Sequence, residues 1–150
     1  MKFVTFLDGE QPSLGVVDSG HVYPLEDLGL EYFDMIELIE QLTEAEKAAL
    51  KVAIENEESQ GLPLDQVELL APIPLPRDII AVSQNYATHV KETMEGQGLE
   101  YKNPAYCSYF FKRVNQAVAP DGDICLHAAI TKELDYEVEL GFVIGKECRN

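Results

Sequence analysis

Apolar and polar positions alternate in three short runs at the start of the chain. Lys2 to Leu7 is β-prone and runs into the turn signal Asp8-Gly9. Leu14 to Val17 makes a second short strand, Asp18-Ser19-Gly20 turns the chain again, and His21 to Tyr23 makes a third. A β-meander is predicted. The period then lengthens. Met35, Leu38, Ile39 and Leu42 fall at i, i+3, i+4 and i+7, one face of a helix. Thr43 with Glu46 three residues on is a capping-box pattern that opens a second helix, with Leu50, Ala53 and Ile54 as its apolar stripe. Glu55, Glu57 and Glu58 lie where the helix dipole disfavours negative charge, so fraying is expected there, with Gly61 as the terminator.

Val67 to Leu70 reads as a short strand. Pro72, Pro74 and Pro76 follow in alternation, which resists helix and favours an extended connector. The expected domain division is therefore 1–72 and 73–150. Beyond it, Asp78 to Val82 is β-prone, and Asn85 is a good N-cap for a helix over Tyr86 to Met94. Glu95-Gly96-Gln97-Gly98 ends that helix in a loop. Tyr109 to Lys112 is a predicted strand, Ala119-Pro120-Asp121-Gly122-Asp123 a turn, and Ile124 to Leu126 another strand. Leu134 to Ile144 alternates strictly: Tyr136, Val138, Leu140, Phe142 and Ile144 share one parity, and Glu137, Glu139, Gly141 and Val143 the other. The fold class implied is α+β.

Composition narrows the function classes. At 46% apolar and 25% charged the chain has material for a core. Its 27 acidic and 11 basic residues, a net charge of −16, argue against nucleic acid and anionic membrane surfaces. They do not argue against an anionic substrate, because a bound divalent cation reverses the local field. The three cysteines form no CxxC pair, so neither a disulfide framework nor a structural zinc site is indicated. With no signal-peptide pattern and no apolar stretch of membrane-spanning length, a cytoplasmic protein is expected.

Three constellations could carry chemistry. Glu137 and Glu139, two apart on a strand, would project from one face, where paired carboxylates repel unless one takes a proton or a cation lies between them. Such oxygen donors suit Mg²⁺, Mn²⁺ or Ca²⁺. The plain alternative is a solvated strand face shared with Glu133 and Asp135, and spacing alone favours it. His89 and Glu92 are neighbours at i and i+3 on a helix, where a carboxylate fixes the imidazole tautomer and raises its basicity, as a water-activating base requires. An ordinary solvent-exposed pair is the simpler reading. Lys112, with Arg113, follows Tyr109-Phe110-Phe111 and could bind a substrate carboxylate or be a strand-end charge. His21 and His127 read as structural, and Asp121-Gly122-Asp123 as a turn without the rest of a calcium loop.

Taken in order, Ala71-Pro72-Ile73-Pro74-Leu75-Pro76-Arg77-Asp78-Ile79-Ile80-Ala81-Val82, Asn85-Tyr86-Ala87-Thr88-His89-Val90-Lys91-Glu92, Phe111-Lys112, Pro120-Asp121-Gly122-Asp123-Ile124 and Asp135 to Lys146 resemble the fumarylacetoacetate hydrolase superfamily. Residues 1–70 resemble the small N-terminal domain of many bacterial members. The resemblance implies a small N-terminal β-meander and helix domain, then the first part of a mixed β-roll. It implies that Glu137 and Glu139 hold a divalent metal, Mg²⁺ first and Mn²⁺ or Ca²⁺ as alternatives. His89 and Glu92 would form the water-activating dyad on a lid, and Lys112 would lie near the pocket. It further implies a homodimer acting on small oxo-acids or diketo-acids by C–C hydrolysis, decarboxylation or enol isomerisation.

Two local departures, Ser83-Gln84 before Asn85-Tyr86 and Arg113 after Lys112, bear on pocket shape and hence on substrate. Family enzymes continue well past the Glu-x-Glu strand and draw a third metal carboxylate from that region. The 150 residues are accordingly expected to be the first part of the enzyme and inactive alone. The competing expectation is a non-catalytic module that pairs its exposed strands with a partner.

Overall fold

The computed structural model describes residues 1–73, 78–102 and 105–149. The chain divides into two compact units, Met1–Pro74 with Val118–Asn150, and Leu75–Ala117. The expected boundary at the proline run falls partly outside the described residues, because Pro74 and Pro76 lie there.

In the first unit β1 (Lys2–Asp8), β2 (Gln11–Asp18) and β3 (His21–Pro24) form the antiparallel meander that the pattern predicts. The second hairpin pairs Asp18 with His21 around Ser19 (φ 46°) and Gly20 (φ 79°), the doubly left-handed loop that matches strand twist. Ser19, a residue that adopts this region at a cost, donates its hydroxyl to Asp18 Oδ2 at 2.8 Å. Two short edge strands, β4 (Leu62–Pro63) and β5 (Leu69–Leu70), complete the sheet in the order β4-β3-β2-β1-β5.

Two helices bury their apolar stripes with this sheet. Helix α1 (Met35–Gln41) starts where the Asp34 carboxylate accepts from Glu37 N at 2.9 Å. Helix α2 (Glu44–Glu55) carries the predicted capping box: Glu46 N donates to Thr43 Oγ1 at 3.2 Å, and Thr43 N to Glu46 Oε2 at 2.8 Å. The hydrogen bond from the Thr43 hydroxyl, then that from its backbone, holds the Glu46 carboxyl below its ordinary range. Burial, then a hydrogen bond with Glu46, raises the Tyr32 phenol. Lys47, bonded to Glu44 at 2.6 Å, lowers that carboxyl. Val16, Leu25, Met35, Leu38 and Leu50 form the shared core. Burying each large apolar side chain contributes about 1.5–3 kcal/mol. Across the sheet, Phe6 and Val22 are also fully buried and meet over Gly15, whose missing side chain leaves their room.

In the second unit β6 (Ile79–Ser83) pairs antiparallel with β7 (Ser108–Lys112), and α3 (Ala87–Gly96) lies between them in sequence. Among the described residues the class is α+β, with a five-stranded and a two-stranded antiparallel sheet and three α-helices.

Several local expectations are corrected. Helix α2 ends at Glu55, with Glu57 in the left-handed region at φ 57° and its N–H bonded to Ile54 O; Gly61 plays no part in that end. It lies under the Tyr23 ring instead, where a Cβ would come within 2.8 Å of ring carbons. The residue that caps α3 is Tyr86, not Asn85, and it offers no side-chain bond to the helix. Val67 follows a 3₁₀ turn and only Leu69–Leu70 pair. The expected strands Ile124–Leu126 and Leu134–Ile144 do not form. Alternation alone does not make a strand: a ladder of hydrogen bonds and a covering layer must reward extension, and among the described residues no strand pairs with either segment. Tyr136, Val138 and Phe142 consequently stand 84%, 85% and 82% exposed.

Candidate active site

Helix α3 is the scaffold of the proposed dyad. Val90 is buried and fixes one face, and His89 and Glu92 are exposed. The His89 carbonyl accepts from Thr93 Oγ1 at 2.9 Å, and Lys91 and Glu95 form an exposed pair at 3.8 Å. Both are local helix contacts that add little stability. Among the described residues the His89 ring and the Glu92 carboxylate are not hydrogen-bonded, so the pair is set by helical spacing alone.

Lys112 closes β7 opposite Ile79. The register puts Phe110 and Ala81 on the same face as Lys112, whereas Ile80, Val82, Tyr109 and Phe111 share the other. The second of these faces is wholly apolar, and the first also carries Ser83 and Ser108. Phe110 and Ile79 were not singled out from sequence as neighbours of Lys112. The signal was available, since Phe110 stands two before Lys112 and shares its parity.

Glu137 and Glu139 are exposed on irregular chain. The segment that leads to them is held by local turns: Thr131 Oγ1 accepts from Glu133 N at 3.1 Å, and Tyr136 N donates to its neighbour Asp135 at 2.8 Å. The two carboxylates are hard oxygen donors and fit Mg²⁺, Mn²⁺ or Ca²⁺ in kind. Among the described residues no group of three or more His, Cys, Asp or Glu side chains converges as a metal cage would. The structure brings His89, Glu92 and Lys112 into one compact unit, and Glu137 and Glu139 belong to the other. All three cysteines are free and exposed, and no helix among the described residues is long and apolar enough to cross a membrane.

Comparison with known proteins divides along the chain. Residues 78–150 match the family described as fumarylacetoacetate (FAA) hydrolase C-terminal, and residues 1–72 match the family described as Rv2993c-like, N-terminal. An uncharacterized protein of Methanocaldococcus jannaschii is 40% identical over 75 residues, 50% of this chain and 29% of that protein. The mitochondrial oxaloacetate tautomerase FAHD1 of Homo sapiens is 37% identical over 73 residues, 49% of this chain and 30% of that enzyme. An uncharacterized protein of Staphylococcus aureus is 28% identical over 164 residues, covering 97% of this chain and 52% of that protein. The chain thus spans from about a third to about half of the length of these relatives.

Proposed function

This chain belongs to the fumarylacetoacetate hydrolase superfamily, and from that premise we propose that it forms part of a metal-dependent enzyme acting on small oxo-acids. The observation that carries the reading is the match over residues 78–150, which contains His89, Glu92, Lys112, Glu137 and Glu139 in order. Glu137 and Glu139 would hold the divalent cation, which when bound supplies a Lewis acid for adjoining carboxylate and keto oxygens. His89 moves a proton at the carbon beside the carbonyl, and Glu92 orients its ring and supports its charge. Lys112, at the end of an apolar strand, pairs with a substrate carboxylate.

The human relative named as an oxaloacetate tautomerase favours enol isomerisation of an oxo-dicarboxylate as the first reaction to test, ahead of C–C hydrolysis and decarboxylation. A homodimer is part of the same reading. The comparisons do not favour a non-catalytic assembly module.

The test follows decay of enol-oxaloacetate absorbance with Mg²⁺ in the intact gene product and in Glu137→Ala and His89→Ala. Both variants should lose at least about a hundredfold in rate. Metal titration of Glu137→Ala should show weakened Mn²⁺ binding. Unchanged Mn²⁺ affinity in that variant refutes the assignment.

A further inference from the structure

The first unit contains a cavity of about 430 Å³, within the roughly 300–1,000 Å³ span of ligand sites. It opens between the β1–β2 hairpin and the segment that leads into α1. Leucine, proline and methionine side chains make its apolar part. Its rim carries Asp8, Glu26, Asp27, Glu31 and Asp34, and among the described lining residues there is no Lys, Arg or His. Two of these carboxylates are already engaged: Asp34 caps α1, and Asp27 accepts from Ser59 Oγ at 3.3 Å. The side-chain carboxylates of Asp8, Glu26 and Glu31 make no hydrogen bond or ion pair with described residues.

A second observation points to the same place. Phe33 precedes the cap Asp34, the position from which an apolar residue normally folds back on the fourth helical residue, here Leu38. Leu38 is buried without it, and Phe33 stands 93% exposed on the cavity wall. Its neighbours Leu30 and Tyr32 pack on the core, so the ring is presented from an anchored segment. A groove lined about equally by polar and apolar surface, an aromatic ring in water and uncompensated negative charge coincide.

We propose that this groove docks a polypeptide segment in which an apolar side chain is flanked by arginines or lysines. The apolar side chain enters the cavity against Phe33, and the flanking cations pair with Asp8, Glu26 and Glu31. Charge complementarity selects this occupant: an acidic or neutral peptide would leave the rim carboxylates desolvated without partners.

The test is fluorescence anisotropy with a labelled peptide carrying a central leucine between paired arginines. Because the whole chain is acidic, the decisive comparison uses two variants of equal net charge. One replaces Asp8, Glu26 and Glu31 by Asn, Gln and Gln; the other replaces Glu55, Glu57 and Glu58 by Gln. The groove variant should bind about tenfold more weakly, and the control variant should match the parent. Phe33→Ala should weaken binding with the net charge unchanged, and circular dichroism checks that each variant folds. Equal losses in the two charge variants, no loss in Phe33→Ala, no binding by the parent, or self-association of the parent that excludes the peptide would each overturn the proposal.

Discussion

Gly15 offers a direct test of how the first unit packs. Its φ is not in the left-handed region, so alanine fits the backbone and would, by restricting the unfolded chain, stabilise by about 0.4–1 kcal/mol. Space opposes that gain. An alanine Cβ would lie 2.6 Å from Val22 Cγ1, 3.1 Å from Phe6 Cε1 and 3.3 Å from the Tyr23 carbonyl oxygen. Phe6 and Val22 are fully buried, and β3 is tied to β2 through four residue pairs, so neither side chain nor strand can withdraw freely. Overpacking of a closed core costs about 1–3 kcal/mol, which leaves a net loss of roughly 1.5 kcal/mol. At about 4–8 °C per kcal/mol for a domain of this size, Gly15→Ala should lower Tm by roughly 6–12 °C. Urea unfolding followed by circular dichroism measures the same loss. A Val22→Ala background removes the nearest contact, so Gly15→Ala should there cost close to nothing. An equal cost in both backgrounds, or a raised Tm in the parent, would refute the packing argument.

Two further outcomes follow from local chemistry. Thr43→Ala removes the hydroxyl of the capping box and should cost about 1 kcal/mol by urea unfolding. It should also flatten the acid limb of the stability curve. The folded Glu46 carboxyl lies below its unfolded value, so its contribution is present above the ordinary carboxylate range and disappears as pH falls through the folded value. Parallel Tm–pH curves for parent and variant below neutrality would exclude this origin. On the proposed function, Lys112→Ala should raise KM for a dicarboxylate by about tenfold or more through loss of a charge-assisted bond, with a smaller effect on kcat. An unchanged KM would remove Lys112 from the pocket.

What could be read from the chain depended on the range of the interaction. The hairpin at Ser19-Gly20 and the Thr43–Glu46 box are made within four residues, and each forms where the spacing predicts. The α1 and α2 faces were also legible, because a 3.6-residue period declares which side chains must leave water. Those signals, with the ordered motifs from Asp78 to Lys146, determined by themselves the α+β class, the meander and the family. Tertiary structure alone decided that Gly61 packs under Tyr23 rather than ending a helix. It also decided that Gly15 stands where Phe6 and Val22 meet, and that Phe33 stays in water. The alternating run from Leu134 to Ile144 marks the division most clearly. Its pattern specifies two faces, but a strand exists only when another strand supplies the hydrogen bonds and a second layer takes the apolar side. That cost and reward belong to residues distant in sequence, so periodicity specifies the faces and pairing decides whether they become a sheet.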